Sequence, residues 1–503
     1  QAIGGGDLAA ITALSNWAQE PGARPLLATL HALVAKNLVQ AEATANGAPR
    51  FVLLETIREF AMEQFRAQGE EETLCIRHFA TYLQFAQTAD LQLRGPEAPG
   101  WFARIDAEQD NLRAAMQWAL DKGRHTDAAW LVLVASWYWL SCGLRAEGGG
   151  WLARLLPHRR TMEGDLRLAI LLWGYAFGVG YEPFAQGDQY ADEVISLLES
   201  CRDMLLRAAA WHWLASGMPE AAAANEASER AVTLARTAYE LHGLGPAWGL
   251  LGDRDFILAA NIQDYAKQLA DQGEAERAAP LATESLELFR RRGDHNGISN
   301  TLAILGQLAL MRGDLDAAYT LLCQSRTMIT AFERLNWRLD WQHLLGLVTL
   351  YRGDTSGART LLADSLGLCV DLRLNLPAAR ICAYLADAEL LDSKQDEAEQ
   401  WLRQSLQWAA EPHRISIYDV ERIFVAARLA TAKGQYRPAA ELFGLAAQAH
   451  GRVNHVRLGQ QQALAGIAMA TVRQALEPLE FATAFAAGKQ ISLDVMSTRW
   501  ASV

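Results

Sequence analysis

Residues 299–330 read SNTLAILGQLALMRGDLDAAYTLLCQSRTMIT, and the phrase returns forty residues later with the same spacing. Leu305-Gly306, Gly313-Asp314, Ala318, Leu322 and Ser325 in one copy become Leu345-Gly346, Gly353-Asp354, Ala358, Leu362 and Ser365 in the next. The punctuating position falls at Gly273, Gly313, Gly353, Ser393 and Gly434, a period of about 40 residues between Gln263 and Ala446. A fixed period of this size marks a stack of repeated units. Within residues 299–330, Leu302, Leu305 and Ala309 recur at helical spacing, and Ala318, Leu322, Ser325 and Ile329 do so after Gly313-Asp314. The unit is therefore two amphipathic helices joined by a tight turn. Gly306 and Ala318 are small enough to let the helices approach closely. Leu305 and Leu322 are expected to fill the contact, so an aspartate at Leu305 is expected to cost about 3 kcal/mol.

Working outward, the chain has 503 residues, a formal charge of -12 and a pI near 5.5, which argues against a surface that coats nucleic acid. Cys75, Cys142, Cys201, Cys323, Cys369 and Cys382 form no CxxC pair and are expected to be buried free thiols, which suits the cytoplasm. No apolar run reaches the length of a membrane span, and Gln1 opens no export signal. The absence of an initiator methionine leads us to expect a fragment of a longer chain.

The first 69 residues differ in character. Pro25 opens a helix to about Lys36, strands are expected near Leu38 to Glu42 and Arg50 to Leu54, and a helix follows from Glu55 to about Gln68. Asn46-Gly47 is the expected hairpin tip. Helix, two-stranded wing and helix outline a winged-helix domain. Arg24 and Lys36 are the only firm positive charges on or beside its candidate recognition helix, so intramolecular docking is the expected role and nucleic-acid binding is not. Gly4-Gly5-Gly6 and Gly148-Gly149-Gly150 lack a following Lys-Ser/Thr, so they are expected to be flexible loops, and no phosphate loop is present. No HExxH or GxSxG constellation occurs, and no catalytic or metal site is expected.

The repeat spacings resemble the tetratricopeptide repeat, with small residues at its eighth, twentieth and twenty-seventh positions and glycine at its fifteenth. Gly306, Gly313, Ala318 and Ser325 fill these positions, as do Gly346, Gly353, Ala358 and Ser365. Ala266, Gly273, Ala278 and Ser285 also fit, while Ser393 and Ala427 replace glycines. The period exceeds the usual 34 or so, implying longer helices or an extended link. Transferring the phase, the first helix of each pair is expected to line a concave surface through Gln263, Lys267, Asn300, Gln307, Asp340, His343, Tyr351, Arg380, Asp387, Glu421 and Arg428. Both charge signs and an aromatic then face one groove, which suits a protein, a peptide or a small polar ligand.

The stretches Leu30 to Val39 and Arg50 to Ala61 resemble the winged-helix end of bacterial STAND signal-transduction ATPases, many of them LuxR-type or antibiotic-regulator-like transcription regulators. Further matches are Arg77-His78, Leu93-Arg94-Gly95-Pro96-Glu97, Glu108 to Ala115 with Trp118-Ala119, and Phe485 to Leu493. The resemblance implies an all-α sensor portion, a tetratricopeptide-like solenoid carrying a small N-terminal winged helix. Its upstream nucleotide-binding domain, absent here, would hold ATP or ADP and magnesium. No cofactor is expected in this chain, because Leu53, Leu54 and Glu55 stand where the family's Met-His-Asp nucleotide sensor would be. The expected order is a winged helix over 1–69, a helical adaptor or diverged first repeats over 70–160, the repeat array over 161–480 and a tail over 481–503. Gly123 and Ala128 share the offset of Gly313 and Ala318. Gly187-Asp188 and Ala191 suggest an irregular repeat, and Met218 to Asn225 and Gly243 to Pro246 are expected to be loops.

Overall fold

A computed structural model describes residues 5–15, 25–43, 49–177, 188–218, 221–241, 254–329, 339–371, 374–409, 417–453 and 459–491. The chain forms two compact units, one of residues 1–140, 144–210 and 243–253, the other of 141–143, 211–242 and 254–503. The division between them falls inside the stretch expected to be one repeat array.

The first unit opens with a three-stranded antiparallel sheet of β1 (Gly6–Asp7), β2 (Val39–Ala43) and β3 (Pro49–Leu53) in the order β1-β3-β2. Val39 faces Leu53 and Ala41 faces Phe51 across the hairpin, whose tip at Asn46-Gly47 lies outside the described residues. The helix Leu26–Ala35 ends where Asn37 takes a left-handed φ of 57°, the conformation in which asparagine is most readily tolerated. Leu30, Val39 and Phe51 form a small core with Leu8, Ile11 and Leu33. The helix Glu55–Gln68 follows with the expected bounds.

The glycines of the first triplet are not a flexible loop where they are described. Gly5 is buried at φ 110°, and Gly6 pairs with Phe51 in β1. A Cβ on Gly5 would stand 2.8 Å from the Phe51 carbonyl oxygen, so only glycine lets this backbone reach β3. The second triplet is also corrected, since Gly148, Gly149 and Gly150 lie within the helix Arg145–Leu155. A Cβ on Gly148 would stand 2.6 Å from the Phe177 ring. The remaining helices of this unit include Glu71–Gln92, Ala98–Asp121, Gly164–Ala176 and Asp188–Ser200. Gly187 lies outside the described residues, as do Gly243 to Pro246. Ala221 to Asn225, expected in a loop, begin the helix Ala221–Glu240 of the second unit.

The second unit is a tetratricopeptide-like helical solenoid. Among its described residues the helix pairs are Arg254–Asp271 with Ala275–Arg292, His295–Met311 with Leu315–Ile329, Leu339–Tyr351 with Thr355–Asp371, Asn375–Leu391 with Gln395–Trp408, and Ile417–Ala432 with Tyr436–Val453. At the start of the series the long period is taken up by helix length, with 18, 18 and 17 residues in the first three helices, whereas Leu339–Tyr351 and Gln395–Trp408 have only 13 and 14, so helix length alone does not account for it there. Each corner has one construction. Gly273, Gly313, Gly353, Ser393 and Gly434 adopt φ of 84°, 80°, 94°, 61° and 71°. At Gly313 the amide donates to Leu310 O and the next amide, of Asp314, to Ala309 O, so the last carbonyls of the first helix are satisfied. Five residues past each corner stand Ala278, Ala318, Ala358, Ala398 and Ala439, all fully buried. Gly123 in the first unit repeats the device at φ 68°, with Ala128 fully buried.

Side chains complete each pair. A Cβ on Gly306 would lie 2.9 Å from Leu322, and one on Gly346 2.9 Å from Leu362, so the small residue lets the opposing leucine seat fully. Leu322 carries this contact, whereas Leu305, expected to share it, is half-buried. Ser285 and Ser405 donate to the carbonyls of Ala259 and Ala379 at 2.8 and 2.6 Å, and Ser325 with Ser299 bonds at 2.8 Å. The helix Pro478–Gly488 straddles the expected boundary between array and tail and packs on Tyr436–Val453. There a Cβ on Gly444 would collide with the Phe485 carbonyl, and one on Gly488 with that of Glu441. Four cysteines are buried, and Cys142 and Cys323 are half-buried.

Ser393 is the one corner in this series built on a residue with a Cβ. Replacing it by glycine is expected to raise stability by about 0.5–1 kcal/mol, whereas Gly353→Ala is expected to lower it by about 1 kcal/mol. Chemical denaturation of the two variants checks both signs.

Candidate functional site

The first helices of successive pairs are joined by polar side chains rather than left as independent solvated faces. Gln263 donates to Gly297 O at 3.0 Å and to Thr301 Oγ1 at 2.5 Å. Gln307 Nε2 reaches back to Asp271 at 2.9 Å, and Lys267 Nζ lies 3.1 Å from the same carboxylate. Tyr351 donates to Asp387 at 3.2 Å, Arg428 pairs with Asp387 from the next helix, and Tyr384 donates to Glu421 at 2.7 Å.

The hydrogen bonds fix the protonation of His343. Its Nδ1 lies 2.6 Å from the Leu339 carbonyl, which can only accept, so Nδ1 carries the proton. Nε2 is then the acceptor for Arg380 Nη2 at 3.0 Å. Burial, then the charge of Arg380, hold the imidazole well below its ordinary pKa, and Lys267 adds to the effect. Enclosure alone would raise the Asp271 carboxyl, but Lys267, the Gln307 bond and Arg380 together lower it. Burial first, and Asp387 next, push the Tyr351 hydroxyl up, as burial and Glu421 do for Tyr384. Lys267 and Arg380 thus act on common neighbours although they belong to the first and fourth pairs.

Of the residues expected to line this surface, Gln263, His343, Asp387 and Glu421 are buried bridges between helices. Lys267 is exposed, and Asn300, Gln307, Tyr351, Arg380 and Arg428 are half-buried. Asn300 Oδ1 has no hydrogen-bond partner among the described residues. The Asp340 side chain lies outside them. Sequence reasoning missed Asp271, Thr301 and Tyr384, which complete the bonds. Their signal was a partner one repeat away, at separations of 36, 38 and 37 residues.

A second polar centre lies in the first unit and gathers the motif residues outside the repeats. Glu108, in the helix Ala98–Asp121, pairs with Arg50 of β3 and accepts from Tyr82 at 2.8 Å and Asn111 at 2.6 Å. Asn111 and Arg50 both donate to Gly5 O, at 2.8 and 3.0 Å. The sheet is therefore fastened to two long helices through buried groups. Arg94 is buried against Asp90 at 2.8 Å, with its guanidinium 4.7 Å above the Trp137 ring. Burial lowers the His78 pKa to about 4, against a smaller opposing effect of Asn111, and raises that of Asp90 to about 6 despite Arg94. Among the described residues no group of three or more His, Cys, Asp or Glu is placed to hold a metal ion, and no helix is long and apolar enough to cross a membrane.

No protein-family model matches the chain. It is similar to candidate HTH-type transcriptional regulators of Mycobacterium bovis and Mycobacterium tuberculosis, with 32% identity over 159 residues. That match covers 31% of this chain and 18% of theirs, so the chain spans less than a fifth of the length of these relatives. A STAND protein with a tetratricopeptide repeat sensor from Pyrococcus horikoshii superimposes with a TM-score of 0.49 at 16% identity, over 86% of this chain and 58% of that one. A Rap protein complexed with Competence and Sporulation Factor gives 0.47 at 12% identity, over 71% of this chain and 99% of that one.

Breaking the Asp387–Arg428 pair by Asp387→Asn leaves a largely buried guanidinium without its counter-charge and is expected to cost about 3 kcal/mol. Adding Arg428→Met should recover part of that loss in a double-mutant cycle read by denaturation. Because the folded pKa of His78 lies below its unfolded value, the unfolded chain binds the extra proton between pH 6.5 and about 4, and stability falls as pH falls through that window. Asp90 acts oppositely, its folded form taking up a proton first as pH falls below about 6. Relative to the native chain, His78→Phe should lose an acid destabilisation on the order of 3 kcal/mol between pH 6.5 and 4.

Proposed function

We propose that this chain is the capture and relay portion of a STAND-type signalling protein. The solenoid takes up a protein, peptide or small polar ligand on the surface of its first helices. The N-terminal sheet and helices, in the role of a winged helix, pass that event to a nucleotide-binding domain of the same polypeptide. The observation that carries the reading is the line of basic and neutral polar side chains offered by successive first helices, with Lys267 exposed and Gln307, Tyr351, Arg380 and Arg428 half-buried. A polar line of this kind offers pockets along an extended surface, whereas a purely structural stack needs only apolar contacts there. Capture shifts a signalling equilibrium only if the ligand prefers one arrangement of the protein, and a preference of about 2 kcal/mol gives a shift of roughly thirtyfold. The fastening of Gly5 and Arg50 to Glu108 and Asn111 supports the relay, because it leaves the sheet little freedom to move independently of the helices behind it. ATP hydrolysis belongs, on this reading, to the nucleotide-binding domain, in a cytoplasmic protein.

A regulator acting on DNA through the same N-terminal element is less well supported. The helix Leu26–Ala35 contains no lysine or arginine, and neutralising phosphates is the main source of affinity for a duplex. Affinity capture from an extract of the source cells compares the two readings. A species retained by the native chain is expected to be lost at least tenfold with Lys267, Gln307 and Arg380 all changed to alanine. Duplex DNA titrated at two salt concentrations is expected to show no tight, steeply salt-dependent binding. Undiminished capture by the triple variant would remove the groove from the account.

A further inference from the structure

Each first helix of the array offers its second helix the same seat. Counting back from the corner at Gly313, its places are Gly306, Leu302 and Ser299, and from the corner at Gly434 they are Ala427, Ile423 and Val420. All six are buried, as are their counterparts in the other three pairs. Ser299 bonds Ser325 across the seat, and Gly306 makes room for Leu322. What fills the seat is also constant in kind. In three of the second helices it is an alanine, a leucine four residues on and a serine three beyond, as at Ala318, Leu322 and Ser325.

The helix Gly459–Ala475 takes the place of a sixth first helix. Ala465 and Val472 bury one side of it in the apolar cluster that the helix Ile417–Ala432 also enters. Its end differs from the others. Where a left-handed corner is due, Glu477 is extended at φ -59° and ψ 143°, so the chain does not double back. The next helix, Pro478–Gly488, packs chiefly on Tyr436–Val453 instead. The seat on Gly459–Ala475 is consequently open. Ala470, Gly466 and Ala463 stand at its three places and all are exposed, and among the described residues a Cβ on Gly466 would meet nothing within 4 Å outside its own helix. Beside them Ile467 is 67% exposed, and none of these four residues carries a charge.

We propose that this open seat docks an amphipathic helix of a second protein, one that presents alanine, leucine and serine at the spacing of this chain's own second helices and so completes the last pair. The surface continues an interface that five pairs repeat, and that interface sets the shape and polarity of what fits. A second copy of the chain has no such helix to offer, because its second helices are already buried in their own pairs. Residues 492–503 do not contain the spacing either. The end of a repeat stack ordinarily turns a polar side to water, whereas this one turns small apolar residues and an isoleucine.

A fluorescently labelled peptide with the sequence of residues 395–408 serves as the probe, since Ala398, Leu402 and Ser405 give it the required face. So short a helix is only marginally formed in water, and a version cross-linked between two outer-face residues one turn apart is therefore titrated alongside it. Fluorescence anisotropy is expected to rise saturably with the native chain, with a Kd below about 0.1 mM for the cross-linked form. Ala470→Glu in the chain and Leu402→Asp in the peptide are each expected to weaken binding by about tenfold or more. Because Ala470 is exposed, its variant is expected to melt with the native chain, and Ala463→Glu carries the same expectation should it not. No saturable binding up to about 1 mM, or equal binding by the native and Ala470→Glu chains, overturns the proposal. So does sedimentation of the native chain as a dimer that Ala470→Glu dissociates, which would give the seat to a second copy. Neither Lys267, Gln307 nor Arg380 takes part, so the groove stands or falls separately.

Discussion

The solenoid depends on a backbone constraint, the left-handed residue that ends each first helix. With φ near 60–95° the chain reverses within a few residues, and the last carbonyls of the helix are satisfied by the amides that follow. The second helix then starts so close to the first that the residue five places on has no room beyond a methyl group. This is why Ala278, Ala318, Ala358, Ala398 and Ala439 are all fully buried. Close approach in turn lets a serine hydroxyl two turns further along reach a backbone carbonyl of the opposite helix, as at Ser285 and Ser405. A single dihedral choice thus propagates into the packing of the whole pair.

Stacking the pairs brings a second requirement. Polar residues between adjacent first helices are too enclosed to be hydrated on every side, so they satisfy one another at separations of one repeat. Asp387 exemplifies this, meeting Tyr351 from the pair before and Arg428 from the pair after. Such bonds tie the orientation of one pair to the next, which a purely apolar contact does less specifically. The first unit uses the same chemistry between unlike elements, with Glu108 and Asn111 gripping a strand residue and a backbone carbonyl.

Most of the repeat architecture was legible in the sequence because its constraints are local. Glycine at a fixed spacing, followed by alanine, names the corner directly, and even Ser393 takes the left-handed conformation its position demands. The N-terminal helix and hairpin were legible through Pro25, Asn37 and the alternation of Val39 and Phe51. What escaped was written in distant partners. Gly5 and Gly6 read as a loop because the strand that accepts them lies about 45 residues on, and Gly148 to Gly150 read likewise because Phe177 is what excludes a side chain there. The repeat phase picked out Gln263, His343, Asp387 and Glu421 but not that they are buried bridges between helices, nor the Asp271 carboxylate that Lys267 and Gln307 share, because each depends on a partner outside the local pattern.

The crossing of Gly444 with Phe485 and of Gly488 with Glu441 brings two backbones together with nothing between them. A joint of that kind leaves no clearance for any side chain, so a substitution at either glycine must part the helices Tyr436–Val453 and Pro478–Gly488 and wet the apolar cluster that Phe443 and Ala484 share.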